Sequence, residues 1–149
     1  MYYNKKHMKA FLAALSRVDE SHFHISAEYG RPYADVILTE YTLSHACGAT
    51  ACAGGWAAID PECNKLGFKA LKNIHGSLFS FTYKNTARIN ALIAFLEMDS
   101  GVAKEIFGYS LRTREVYGKQ IGKITCFDVM VALEYYCLTG ELIEPEDLL

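Results

Sequence analysis

The residues best suited to chemistry are two cysteines and a histidine in the first half of the chain. His45, Cys47 and Cys52 form the pattern His-x-Cys-x4-Cys, and His22 and His24 could complete a four-ligand zinc site. Structural zinc sites, however, place paired ligands roughly two to four residues apart on tight turns. The chain has no second pair to match Cys-x4-Cys, so the spacing predicts no metal, and no motif calls for another cofactor.

A reactive thiol is the second chemistry that these residues allow. Thr50 is a candidate helix N-cap, a helix N-terminus lowers the pKa of a nearby thiol, and His45 is the available base. A cysteine nucleophile also needs a group that orients the histidine, and the sequence identifies none. Phosphate-binding glycine loops and a Gly-x-Ser-x-Gly elbow are missing as well. No catalytic residue is therefore assigned, and a thiol- or metal-dependent enzyme centred on His45, Cys47 and Cys52 stays as an alternative.

Residues 109–123 form a basic and aperiodic segment. Four basic residues oppose Glu115 alone, which gives a local net charge of +3. Aromatic and arginine side chains carry most of the energy of protein interfaces, so Arg112, Arg114 and Tyr117 are the predicted partner-binding residues. A nucleic-acid accessory factor that uses the same segment, with Lys119 and Lys123, is a second alternative. The chain as a whole has a net charge of −2, which disfavours general binding to phosphates.

Residues 47–58 hold two cysteines, three glycines and the only tryptophan of the chain. Small residues at this density indicate that backbones approach closely, and Trp56 is the natural side chain to pack against them. The segment is predicted to be the central packing helix, with Thr50 as its cap. We expect Trp56 to be buried, and Gly54, Gly55 and Cys52 to be structural anchors beside it.

Hydrophobic periodicity predicts helices over most of the remaining chain. Helical spacing covers residues 4–18 and 125–139, the latter with a capping box between Thr125 and Asp128 and with Gly140 as its end. Shorter helices are expected to begin at Pro61, at Asn85 or Thr86, and at Asp99 or Ser100.

An alternating stretch predicts the extended structure. Phe79, Phe81 and Tyr83 recur with a period of two, so residues 77–83 should pair with residues 68–74. The chain has 149 residues, of which 51% are hydrophobic, and this is the usual size of one domain. We therefore predict a single globular domain over residues 1–149, mostly α within the α+β class, as a compact helical domain with a small β-hairpin.

The sequence also predicts a cytoplasmic protein. No apolar run approaches the ~18 residues of a membrane span. The apolar run at residues 10–15 is shorter than the roughly 7–15 residues of a signal-peptide core. Three of the five cysteines, Cys52, Cys126 and Cys137, lie in apolar helical contexts, which fits reduced thiols in a reducing compartment. The oligomeric state does not follow from these patterns.

The cysteine-rich segment carries a resemblance to known sequences. Its pattern Cys-Gly-x3-Cys-x2-Gly-Trp, at residues 47–56, resembles a family of small uncharacterised proteins of bacteria and their phages. A helix-loop-helix similar to residues 89–108 and a final helix similar to residues 125–139 follow in those relatives. The resemblance implies a phage or mobile-element accessory protein, and it implies no known activity or catalytic residue.

These observations favour a non-enzymatic interaction or regulatory module. The expected partner is a host protein, with no membrane contact and with nucleic acid disfavoured. The predicted contact residues are Arg112, Arg114 and Tyr117, all in the basic segment.

Overall fold

The computed structural model describes residues 3–31 and 36–144. Eight α-helices lie in these residues: α1 (Lys5–Leu15), α2 (Glu40–His45), α3 (Ala53–Ala57), α4 (Pro61–Lys65), α5 (Ile89–Leu96), α6 (Ser100–Ile106), α7 (Thr113–Tyr117) and α8 (Cys126–Thr139). Five short strands accompany them: β1 (Tyr29–Gly30), β2 (Thr50–Ala51), β3 (Phe68–Lys72), β4 (Leu78–Tyr83) and β5 (Thr86–Ala87). Single 3-10 turns occur at Glu20–His22 and Ile121–Lys123. The fold is α+β with more helix than strand.

Helix α1 is the hub of the helical packing, because it contacts α3, α4, α5 and α8. The side chain of Asn4 caps it by accepting a hydrogen bond from the His7 amide at 2.9 Å. Helical spacing predicts that Met8, Phe11, Leu12 and Leu15 face inward; the structure buries three of these four together with Ala14, and Leu12 is only partly buried. The ring of Phe11 packs edge-on against Phe68 and Phe107, with centroid distances of 6.3 and 5.8 Å.

The predicted hairpin is confirmed and has a third strand. Strands β3, β4 and β5 form an antiparallel sheet in that order. The hairpin turn is closed by Asn73, whose side-chain oxygen accepts from the amides of His75 and Ser77. Because Thr86 belongs to β5, the prediction that Asn85 or Thr86 caps the next helix is wrong. Arg88 occupies the cap position of α5 and makes no side-chain capping bond.

Residues 47–58 do not form one helix, contrary to the sequence prediction. Gly48 has a φ of +86°, Thr50 and Ala51 pair with Gly30 and Tyr29 as strand β2, and Cys52 is extended. Helix α3 therefore begins only at Ala53, with Cys52 rather than Thr50 at its cap position. Thr50 does not cap α3, because Ala51 also pairs with β1 and Cys52 is extended, so the helix begins three residues after Thr50.

Helix α8 forms as predicted. Thr125 and Asp128 make the reciprocal capping box, and Gly140 ends the helix at a φ of +76°. Segment 109–123 was predicted to be aperiodic, yet it contains α7, which ends at Gly118 with a φ of +62°. Within residues 3–31 and 36–144, no helix has the length and apolar character needed to cross a membrane.

Candidate functional site

The thiol of Cys52 is enclosed in the protein. Cys52 is 3% exposed, and burial raises its pKa to about 12. The amides of Gly54 and Gly55 are directed at the sulfur and act in the opposite direction, but burial outweighs them. A protonated, inaccessible thiol is a poor nucleophile and a poor metal ligand.

The other members of the proposed thiol or metal site are more accessible than this thiol: two are exposed, and the histidines at positions 22 and 24 are partly exposed. Cys47 and His45 are both exposed, and the Nδ1 atom of His45 hydrogen-bonds to the Tyr41 carbonyl at 2.8 Å. His22 is similarly engaged with the Ala49 carbonyl. In the part of the chain that the structure describes, no three His, Cys, Asp or Glu side chains are grouped so that they could hold a metal ion.

The two glycines of α3 lie at close contacts. A Cβ atom on Gly54 would lie 2.5 Å from the ring of Phe81, and one on Gly55 would lie 2.2 Å from the carbonyl oxygen of Glu28. Trp56 was expected to be buried but is only partly so. It packs against both hydrophobic clusters of the protein, and its indole nitrogen donates to the His22 carbonyl at 3.0 Å. Trp56 is therefore located where the two hydrophobic clusters meet.

The predicted partner-binding residues separate into two groups. Tyr117 is 1% exposed and its hydroxyl donates to the Ile106 carbonyl at 2.8 Å, so its assignment to a partner surface is wrong. The reason is helical spacing: Thr113, Val116 and Tyr117 lie on the one face of α7 that packs inward. Arg112 and Arg114 are exposed.

The basic residues of this segment are unequal in their pairing. Arg112 forms ion pairs with Glu105 and Glu115 at 3.9 and 3.4 Å. Lys119 pairs with Asp128 at 2.7 Å. Within the described ranges, Arg114 makes no ion pair or side-chain hydrogen bond and keeps its full capacity for an external contact.

Leu111 is the surface residue that the sequence analysis missed. It is 98% exposed and lies immediately before the two arginines. A concavity of about 760 Å³ adjoins it, lined in part by Leu111, Arg114, Gln120 and Ile121. We call these four residues the Leu111 surface. Its sequence signal was weak, because a leucine outside any periodic stripe is not distinguished from a core residue.

A second cluster, also missed, is centred on the carboxylate of Glu28, whose side chain is 13% exposed. The carboxylate accepts hydrogen bonds from Ser80 Oγ at 2.6 Å, from Arg88 Nε at 2.8 Å and from the Tyr109 hydroxyl. Burial raises the pKa of Tyr109, so this phenol stays protonated and donates. The four residues come from four separate segments of the chain, and no local motif could have identified them.

Comparisons with family models, with curated proteins and with solved structures find no match for this chain.

Proposed function

We propose that this chain is a non-enzymatic interaction module that binds another protein through the Leu111 surface. The observation that carries the proposal is a leucine 98% exposed that lines a concavity together with Arg114, an arginine without an ion-pair partner in the described structure. Interfaces are enriched in arginine, and their energy is concentrated in a few anchors at pockets.

Leu111 and Arg114 together favour a partner surface that is apolar where it meets the leucine and acidic beside it. Burying one leucine side chain is worth about 1.5–3 kcal/mol, so Leu111 is the expected anchor. Arg114 would meet a carboxylate of the partner, because a guanidinium matches a carboxylate in two parallel hydrogen bonds. The partner patch that fits is therefore a small apolar knob or pocket with an acidic residue beside it.

Nucleic acid is a weaker candidate for the same surface. Affinity for nucleic acid depends on how many phosphates the protein neutralises. Two of the four basic side chains in residues 109–123, Arg112 and Lys119, are already paired with acidic residues. The remaining charge suits one acidic protein contact better than a phosphate backbone.

The biological setting of the proposal rests on the sequence resemblance alone. A phage or mobile-element accessory protein acts in the host cytoplasm, where a bacterial protein would be the partner. The proposal assigns no chemistry to Cys47 or Cys52, and it fits with the burial of Cys52.

The test is affinity capture from bacterial lysate, followed by binding of the purified components. We expect one captured protein to be depleted at least tenfold when the bait carries Leu111→Ser or Arg114→Ala. Leu138→Ser is the matched control, because Leu138 is also exposed, at 80%, and lies on α8 rather than at the Leu111 surface. This control should leave capture unchanged.

Two results would contradict the proposal. One is a set of captured proteins that is the same for wild type and both surface variants. The other is equal loss of capture with Leu138→Ser, which would mean that any exposed leucine acts as a nonspecific sticky site. The comparison is valid when all baits have the same melting temperature. We expect this result, because substitutions at exposed positions change stability little.

A further inference from the structure

A groove distinct from the Leu111 surface opens over the Glu28 cluster. It has a volume of about 480 Å³, within the range of small-molecule sites. Its apolar wall includes Phe79, which is 51% exposed, and its polar wall includes Glu28, Ser80 and Arg88. A half-exposed aromatic ring beside fixed polar groups is the usual composition of a site that orients a small ligand.

Arg88 is held at this groove by a backbone conformation that L-residues rarely adopt. Its φ is +58° with a ψ of −136°. Both of its peptide groups are engaged: the amide donates to the Phe81 carbonyl, and its own carbonyl accepts from Ala91 and Leu92. Glycine would occupy this position without strain, and an N-cap side chain such as serine would support α5. Arginine does neither, and strained residues of this kind are concentrated at ligand sites.

The side chain of Arg88 retains binding capacity. Its Nε atom is fixed by Glu28, while 67% of the side chain is exposed. The guanidinium is oriented by Glu28 and also interacts with Tyr109, while the exposure of the side chain leaves it open to a ligand. A preoriented guanidinium is suited to a pair of anionic oxygens, as in a carboxylate or a phosphate.

We infer that the groove between Phe79 and Arg88 binds a small planar molecule that carries one anionic group. The ring would lie on Phe79, and the carboxylate or phosphate would meet the guanidinium of Arg88. The negative charge of Glu28 largely offsets the positive charge of Arg88, so the groove is not suited to a polyanion. Carboxylate and phosphate share this chemistry, and the experiment separates them.

The experiment is a titration of the full chain followed by its amide resonances in NMR. The probes are benzoate and adenosine monophosphate, with benzamide and adenosine as their uncharged counterparts and inorganic phosphate as the anion without a ring. We expect at least one charged probe to bind with a Kd on the order of 1 mM or tighter. It should shift the amides of Glu28, Phe79 and Arg88, and its uncharged counterpart should bind at least tenfold more weakly.

Two variants tie the binding to the groove. Arg88→Gly removes the guanidinium and relieves the strained φ, so it should weaken binding at least tenfold without lowering the melting temperature. Arg112→Gly is the matched control, because Arg112 also occupies a helix cap position and also pairs with glutamate. It should leave the affinity unchanged.

Phe79→Ser should likewise weaken the binding of the probe that carries a ring. The inference is overturned if neither charged probe shifts these amides, if the uncharged probes or phosphate alone bind equally well, or if Arg88→Gly binds as wild type does. The titration contains no partner protein, so this inference and the proposed function can fail independently.

Discussion

Gly55 shows most directly how one residue type can be required by its surroundings. A Cβ atom there would lie 2.2 Å from the backbone oxygen of Glu28, and backbone cannot move aside as a flexible side chain can. Gly101, in α6, has only the Asp99 side chain near its Cβ position, at 3.4 Å. The same substitution to alanine should therefore have opposite effects at the two positions.

We expect Gly55→Ala to lower the free energy of unfolding by about 2 kcal/mol or more, as overpacking of a tight site does. Gly101→Ala should raise it by roughly 0.5–1 kcal/mol, because alanine has the better helix propensity and no close contact to displace. Urea denaturation of the two variants measures both values. A Gly55→Ala protein as stable as wild type would show that α3 and the segment around Glu28 are not packed as described.

At the scale of elements, α8 depends on a residue far away in sequence. The carboxylate of Glu20 accepts hydrogen bonds from the amides of Cys126 and Phe127 at 2.8 and 3.0 Å. Together with the Thr125 capping box, it satisfies the first amides of the helix, which have no partner within it. Its negative charge also lies at the positive end of the helix dipole.

Glu20→Ala should therefore destabilise the protein by about 1–2 kcal/mol, as the loss of a helix N-cap does. Glu62→Ala is the control, because Glu62 is exposed and its partner Lys65 is one turn away on the surface. That change should stay within about 0.5 kcal/mol of wild type. Thermal unfolding compares the two, and an equal effect of both would remove Glu20 from the capping of α8.

The sequence could predict the features that depend on contacts between neighbouring residues, but not those that depend on contacts between residues distant in the chain. The Thr125 box, the Gly140 end and the β3–β4 hairpin depend on neighbouring residues, and the structure contains all three. The contact of Glu20 with α8 joins residues more than a hundred positions apart. The burial of Tyr117 depends on which face of α7 meets the core, and Leu111 lies in the turn before that helix. Sequence periodicity was too short there to determine that face.

The Glu28 cluster had no local signal for the same reason. Tyr109 lies 81 residues from Glu28 and Arg88 lies 60 residues from it, so only the folded chain brings them together. The prediction that residues 47–58 form one helix was wrong because β2 pairs with β1, which lies about twenty residues earlier in the chain. Long-range pairing overrode the local preference of small residues for helix.

In the molecule as a whole, two accessible surfaces favour binding functions, whereas the enclosed thiol of Cys52 disfavours thiol chemistry. The Leu111 surface and the groove over the Glu28 cluster lie side by side, because Ser26 lines both that groove and the concavity beside Leu111. Cys52 is buried and Cys47 is exposed, and no group of three metal-ligating side chains occurs among residues 3–31 and 36–144. We therefore expect function to reside on the accessible surface and to need no thiol.

The most direct test is the affinity of the purified partner, measured by calorimetry, for wild type and two variants. We expect Leu111→Ser combined with Arg114→Ala to weaken binding by about 2 kcal/mol or more, roughly 30-fold, with an unchanged melting temperature. Cys47→Ser should bind as wild type does. If Cys47→Ser abolishes binding in a folded protein while the Leu111 and Arg114 changes are silent, this expectation is contradicted and the thiol is the functional group.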